Sequence, residues 1–189
     1  MKKLLTLIVS ILFAFASFAE NTVTTFLGIP VDGSRSEMIR KLKEKGFEYY
    51  NYYSEIENNF LVGNFNGEKV TLYIVTNQLA GQNDKVRRIV VRFPPTSSAV
   101  EARIQFNNLV SQFVNNPNYS CLTDSIPYIP ADERISLYIA DKNYEAIFIQ
   151  GNTDINRQVW FRISKSNDYY YRLRLYYDNL YNVSHGEDL

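Results

Sequence analysis

The spacing of apolar residues changes several times along the chain, and each change marks an element. Over "SRSEMIRKLKEKGF" (34–47), Met38, Ile39 and Leu42 fall on one stripe at helical spacing. Arg40, Lys41, Lys43 and Lys45 lie outside it. Ser34 and Glu37 have the spacing of a capping box, in which the serine oxygen accepts from the N–H three residues on. Gly46 suits the left-handed position that ends a helix, and Phe47 can pack back on it. The pattern predicts a helix over 35–45. A second follows Pro94-Pro95. Ser98 and Glu101 repeat the capping box, and Ala102, Phe106, Leu109, Val110, Phe113 and Val114 form a broad apolar stripe. Arg103, Gln105, Asn107, Asn108 and Gln112 mostly line the other side, and Asn116-Pro117 stops the helix.

Elsewhere the period is two. "FLVGNFNGEKVTLYIV" (60–75) turns at Asn66-Gly67, a pair that tolerates the positive φ angles of a type I′ turn. That turn sets Leu61 opposite Leu72 and Gly63 opposite Val70. Leu61, Phe65, Val70, Leu72 and Ile74 then share one face. "KVRRIVVRF" (85–93) alternates Ile89, Val91 and Phe93 against Arg88 and Arg92. "TTFLGIPVDGS" (24–34) reads as a short extended segment punctuated by Pro30 and Gly33. "FEYYNYYSEIENNF" (47–60) starts as a strand and runs into a polar loop, and its Tyr49, Tyr50, Tyr52 and Tyr53 form an aromatic cluster. Segments 77–85 and 118–133 read as the longest loops. Four more strands are predicted: 134–140, 144–150, 158–164, and the tyrosine-rich "YYYRLRLYYDNLYN" (169–182). In this last run Tyr171, Leu173, Leu175 and Tyr177 share one face. Tyr170, Arg172, Arg174, Tyr176 and Asp178 share the other.

The order helix, strands, helix, strands with hairpin-length connections predicts an α+β fold. Antiparallel meanders would carry the two capped helices on one face. The two helix-plus-meander units, 24–95 and 96–189, are candidate halves of an old duplication, though few residues are identical between them.

The N-terminus reads as a secretory signal peptide. Lys2 and Lys3 precede the apolar run 4–16, and Ser17-Phe18-Ala19 supplies small residues for cleavage after Ala19. The apolar run is short for a membrane span. A single domain over 20–189 is expected, exported to the periplasm or beyond, with no stable membrane anchor after cleavage. It would lose Lys2 and Lys3, leaving 18 basic residues against 20 acidic ones. A near-neutral chain without a basic run gives no grip on nucleic acid. Cys121 is the single cysteine, which excludes an intramolecular disulfide.

Candidate chemistry is sparse. His185 is the single histidine, so a Cys121–His185 nucleophile pair lacks an orienting partner, and a zinc site lacks soft ligands. No nucleophile elbow or phosphate-cradling glycine motif occurs. Paired carboxylates could serve a hydrolase, with Asp124, Asp132 and Glu133 as loop candidates, although acidic residues beside prolines usually form solvated turns. The expectation is a protein that is not an enzyme, with no catalytic residues, no metal and no cofactor.

Four stretches, "FLGIPVDGSRSEMIRKLKEKGF", "GNFNGEKVTLYIVTN", "RIQFNNLVSQF" and "YYDNLYNVSHGEDL", resemble a family of small exported proteins from Bacteroides-type gut bacteria. The likeness covers the mature chain through its Gly-Glu-Asp-Leu ending. It implies export and shared ancestry and carries no catalytic residue across, since the family has no assigned activity. In outline only, the plan is also similar to the small envelope folds of β-lactamase-inhibitor proteins and of the outer-membrane assembly lipoprotein of the SmpA/OmlA type. This chain lacks the latter's lipid-anchoring cysteine.

Together these readings point to an exported binding protein whose partner is a protein or a glycan. The candidate contact residues are Tyr170, Arg172, Arg174, Tyr176 and Trp160, interleaved rings and cations on a sheet face, with the long loops as a second possible contact. The alternatives are a self-associating structural protein of the envelope and a carboxylate-dependent hydrolase.

Overall fold

The computed structural model describes residues 23–50, 60–77, 85–131, 144–151, 154–165 and 169–182. The two helices start at the predicted caps. Helix α1 spans Arg35–Glu44, and the Ser34 Oγ accepts from the Glu37 N–H at 3.3 Å. Helix α2 spans Ala99–Val114, and the Ser98 Oγ accepts from the Glu101 N–H at 3.2 Å. The two box carboxylates find side-chain partners nearby. Glu37 pairs with Lys41 at 2.8 Å, and Glu101 accepts from the Thr96 hydroxyl. Gly46, at φ +88°, ends α1 as expected.

Among the described residues, ten strands follow chain order: β1 (Thr25–Phe26), β2 (Ile29–Pro30), β3 (Glu48–Tyr49), β4 (Phe60–Phe65), β5 (Glu68–Thr76), β6 (Val86–Arg92), β7 (Tyr119–Cys121), β8 (Tyr144–Gln150), β9 (Gln158–Lys165) and β10 (Tyr171–Asp178). The predicted hairpin register is the observed one, Leu61 against Leu72 and Gly63 against Val70. Asn66 and Gly67 both have positive φ, as a type I′ turn requires.

Two segments differ from expectation. Residues 25–30 are not one extended segment but a tight hairpin that turns at Leu27 and Gly28, both at positive φ. Gly28 permits the reversal, and Pro30 falls in a strand too short for its missing N–H to matter. The loop 118–133 contains β7, which has only three residues and no alternation to announce it. Pairing with β8 creates it. The predicted strand 134–140 lies outside the described residues, as do 1–19, Tyr52, Tyr53, Asp132, Glu133 and His185.

Eight strands form one antiparallel sheet in the order β3-β4-β5-β6-β10-β9-β8-β7. Each helix is therefore followed by a meander of four strands, and the last strand of each meander meets the other at a central β6–β10 seam. The fold is α+β, with a large antiparallel sheet and two helices.

Both helices pack on the same face of this sheet. Met38 and Leu42 of α1 share one core with Ala102, Phe106, Leu109, Val110 and Phe113 of α2. Phe106, Phe113, Phe148 and Phe161 interlock at ring distances of 5.1–5.9 Å, giving aromatic contact beyond simple area burial. The small hairpin β1–β2 docks beside them through buried polar bonds. The Asn179 Nδ2 donates to the Val31 carbonyl at 2.9 Å, and the Gln150 Oε1 accepts from the Thr25 N–H at 2.6 Å.

Tyr177 is buried in this core facing Tyr119. Burial raises its phenol well above the usual range, and burial raises that of Tyr119 too. Above pH ~10 the unfolded chain releases these protons while the folded one keeps them. Their contribution is full below the unfolded pKa and is lost as pH rises beyond it. Urea unfolding between about pH 8 and 11 should therefore show a stability loss that is smaller in Tyr177→Phe. Equal losses in the two proteins would refute the assignment.

Candidate binding face

Alternation along each strand sends every second side chain away from the helices. Cross-strand register sorts these outward residues into rows. One row runs Phe60, Tyr73, Val90, Tyr176, Trp160, Ile147 across six strands. The next runs Thr71, Arg92, Arg174, Arg162, Glu145. An aromatic row thus lies directly beside three arginines on the three adjoining strands β6, β10 and β9.

The aromatic row is braced from within the sheet. Trp160 and Tyr176 stack with ring centres 3.9 Å apart and planes 9° from parallel. Asp178, one strand position beyond on the same face, holds both neighbours. It accepts from the Arg88 Nε, from the Arg88 Nη2 at 2.8 Å, and from the Trp160 Nε1 at 2.8 Å. The bond to Asp178 raises the pKa of the Arg88 guanidinium, keeping it charged. Arg88 also lies 5.3 Å from the centre of the Tyr176 ring and 5.6 Å from that of Trp160.

Of the residues singled out from sequence, Arg174, Tyr176 and Trp160 come together in adjoining positions of the two rows. Arg172 lies one step along β10 opposite Ser164, and Tyr170 precedes the strand. Their accessibility differs. Tyr176 is only 7% exposed, whereas Tyr170 is 43% exposed. Arg172, Arg174 and Trp160 are half-buried. Tyr176 therefore acts mainly as the brace of Trp160, and the outward chemistry passes to the arginines.

Arg92 and Arg162 complete that row. Arg92 is exposed, sits 3.8 Å from the centre of the Tyr73 ring and donates to its hydroxyl at 2.9 Å. Arg162 lies 3.6 Å from the Glu145 carboxylate, and its buried Nε has no hydrogen-bond partner among the described residues. Arg174, between them, forms no hydrogen bond or ion pair among the described residues. Neighbouring strands are about 4.8 Å apart, so three like charges stand side by side, an arrangement that weakens pairing. Alternation alone reads Arg92 and Arg162 as outward. Arg162 meets Arg174 through the pairing of the consecutive strands β9 and β10, whereas the adjacency of Arg92 depends on the β6–β10 seam, for which no local signal exists.

Among the described residues, the other candidates are not brought together. Asp124 stands in an exposed loop, and Cys121 lies beside the Thr123 hydroxyl at 3.1 Å. Tyr49 and Tyr50 are exposed, the first under Lys43 and the second stacked on Phe60. No cluster of three or more potential metal ligands occurs among the described residues, and no helix among them is long and apolar enough to cross a membrane.

Fold and face together define an α+β domain whose antiparallel sheet carries helices on one side and an arginine–aromatic surface on the other. Comparison of the chain with protein-family models, curated proteins and solved structures finds no match.

Proposed function

We propose that the mature chain is an exported, non-enzymatic binding protein that holds an anionic partner on the outward sheet face. The observation carrying this reading is the row Arg92–Arg174–Arg162, in register on three adjacent strands with one carboxylate, Glu145, at its end. Fixed side-by-side cations destabilise a sheet, and such local conflicts occur where a surface serves a ligand. Guanidinium forks match carboxylate or sulfate groups two atoms at a time, and Trp160, braced by Tyr176, offers rigid apolar area beside them. The signal-like segment 1–19 supports export.

Retention of the mature chain on a sulfated-polysaccharide column tests the reading. A chain of near-zero net charge should be held only through a local patch. We expect retention at about 0.15 M salt, and its loss in the triple variant R92S/R162S/R174S. Passage of both proteins unretained, or equal retention of both, would rule the reading out.

A further inference from the structure

A second site lies on the opposite, helix-bearing side of the sheet. Between α2 and the tip of the β4–β5 hairpin is a cleft holding a cavity of about 350 Å³, within the size range of small-ligand sites. A smaller one of about 130 Å³ adjoins it. Asn66 and Gln112 line both, and the Asn66 Nδ2 donates to the Gln112 Oε1 at 2.8 Å. This bond straps the hairpin tip to the helix where the two cavities meet.

Carboxamides recur along the walls, joined in the smaller cavity by Glu68, which accepts from the Gln105 Nε2 at 3.4 Å. Gln105, Asn108 and Gln112 follow one another on α2 at intervals of three and four, and Asn116 continues the line beyond its end. The larger cavity has no acidic or basic residue in its wall. Its carboxamides keep unused capacity, since the strap uses one donor of Asn66 and one acceptor of Gln112. Phe65 and Phe113 supply the apolar part.

An independent observation marks the same place. Leu27 lines the larger cavity from the β1–β2 turn with φ at +52° and remains 39% exposed. That turn position favours Asn, Asp or Gly, and a leucine there carries backbone strain. Strain kept by an exposed apolar side chain at a cavity rim is a mark of a binding site.

We infer that this cleft binds a neutral, hydroxyl-rich chain, an uncharged oligosaccharide. A carboxamide both donates and accepts, as does each pair of adjacent sugar hydroxyls, and the aromatic walls suit the C–H faces of a sugar ring. The site is independent of the arginine face.

The test is NMR titration of the ¹⁵N-labelled mature chain with neutral gluco-, xylo- and manno-hexasaccharides to about 10 mM. Side-chain amide shifts of Asn66, Gln112 and Asn116 are expected with at least one of them. The variant N66G/Q112A keeps the turn, because glycine accepts positive φ, and keeps the helix. It should bind roughly tenfold more weakly, with a thermal midpoint lowered by only a few degrees through loss of the strap. R92S/R162S/R174S should bind as the parent does, which separates this site from the sheet face. Absence of shifts with every hexasaccharide, shifts confined to other residues, or undiminished binding by N66G/Q112A would overturn the inference. So would amide shifts produced by a neutral Gly-Ser dodecapeptide and by none of the sugars.

Discussion

Asp178→Ala is expected to destabilise the domain by about 3–5 kcal/mol, the cost of leaving a charge unpaired in a largely buried setting. Asp178 is 3% exposed and accepts two bonds from Arg88 and one from the Trp160 N–H. Alanine strands both donors at once. Because Trp160 is the single tryptophan, its fluorescence reports this site directly. Urea unfolding followed by emission should show a lower midpoint, and emission of the folded variant should differ from the parent's. Arg88→Ala/Asp178→Ala should recover part of the loss, since no lone guanidinium then remains. An alanine variant within about 1 kcal/mol of the parent would mean that Asp178 acts as an ordinary surface acid.

A single methyl group at position 63 should be nearly as harmful. A Cβ on Gly63 would lie 2.3 Å from the Cδ1 of Phe47 and 2.7 Å from two further ring atoms. Phe47 is 1% exposed and cannot swing into solvent without emptying part of the core. Gly63→Ala should cost about 1–3 kcal/mol by overpacking, lowering the thermal midpoint by about 2–4 °C for each kcal/mol. Shortening the ring in a Phe47→Leu/Gly63→Ala double variant should cost less than the sum of the two single changes. Strict additivity would show that the two positions do not meet.

These two residues also mark what can and cannot be read from the chain. Contacts within a few residues are legible. Ser34 with Glu37, Ser98 with Glu101, and Asn66-Gly67 are local instructions, and the structure follows them at each cap and turn. Alternation likewise separates Tyr171, Leu173, Leu175 and Tyr177 from Arg172 and Arg174. Long-range meeting is not legible. Nothing near Gly63 announces that its missing side chain makes room for Phe47. Nothing near Asp178 announces Arg88, ninety residues earlier in the chain. The same gap explains the reading of the candidate face. Tyr176 reads as an outward ring, yet its cross-strand neighbour Trp160 and the Arg88 guanidinium close over it. Arg92 joins the face only through the seam, while Arg162 reaches Arg174 across the neighbouring strands β9 and β10. The carboxamide line on α2 reads as a polar helix side, and only the hairpin tip opposite turns it into a cleft.

The central position of β10 has a consequence for the order of assembly. The last of the described strands fills the middle of the sheet, between β6 and β9. Until it emerges, each meander presents a full-length unpaired edge, the kind of surface that recruits other chains. Among the described residues, the strands at the two ends of the sheet order, β3 and β7, are only two and three residues long. The same late segment receives the early one, for the Thr24 hydroxyl donates to the Asp178 carbonyl and Asn179 holds Val31. Closing the sheet like a zip therefore requires β10. Sequence separation between partners is large at the seam, ninety residues for Arg88 and Asp178, so closing it carries a large loop-entropy cost.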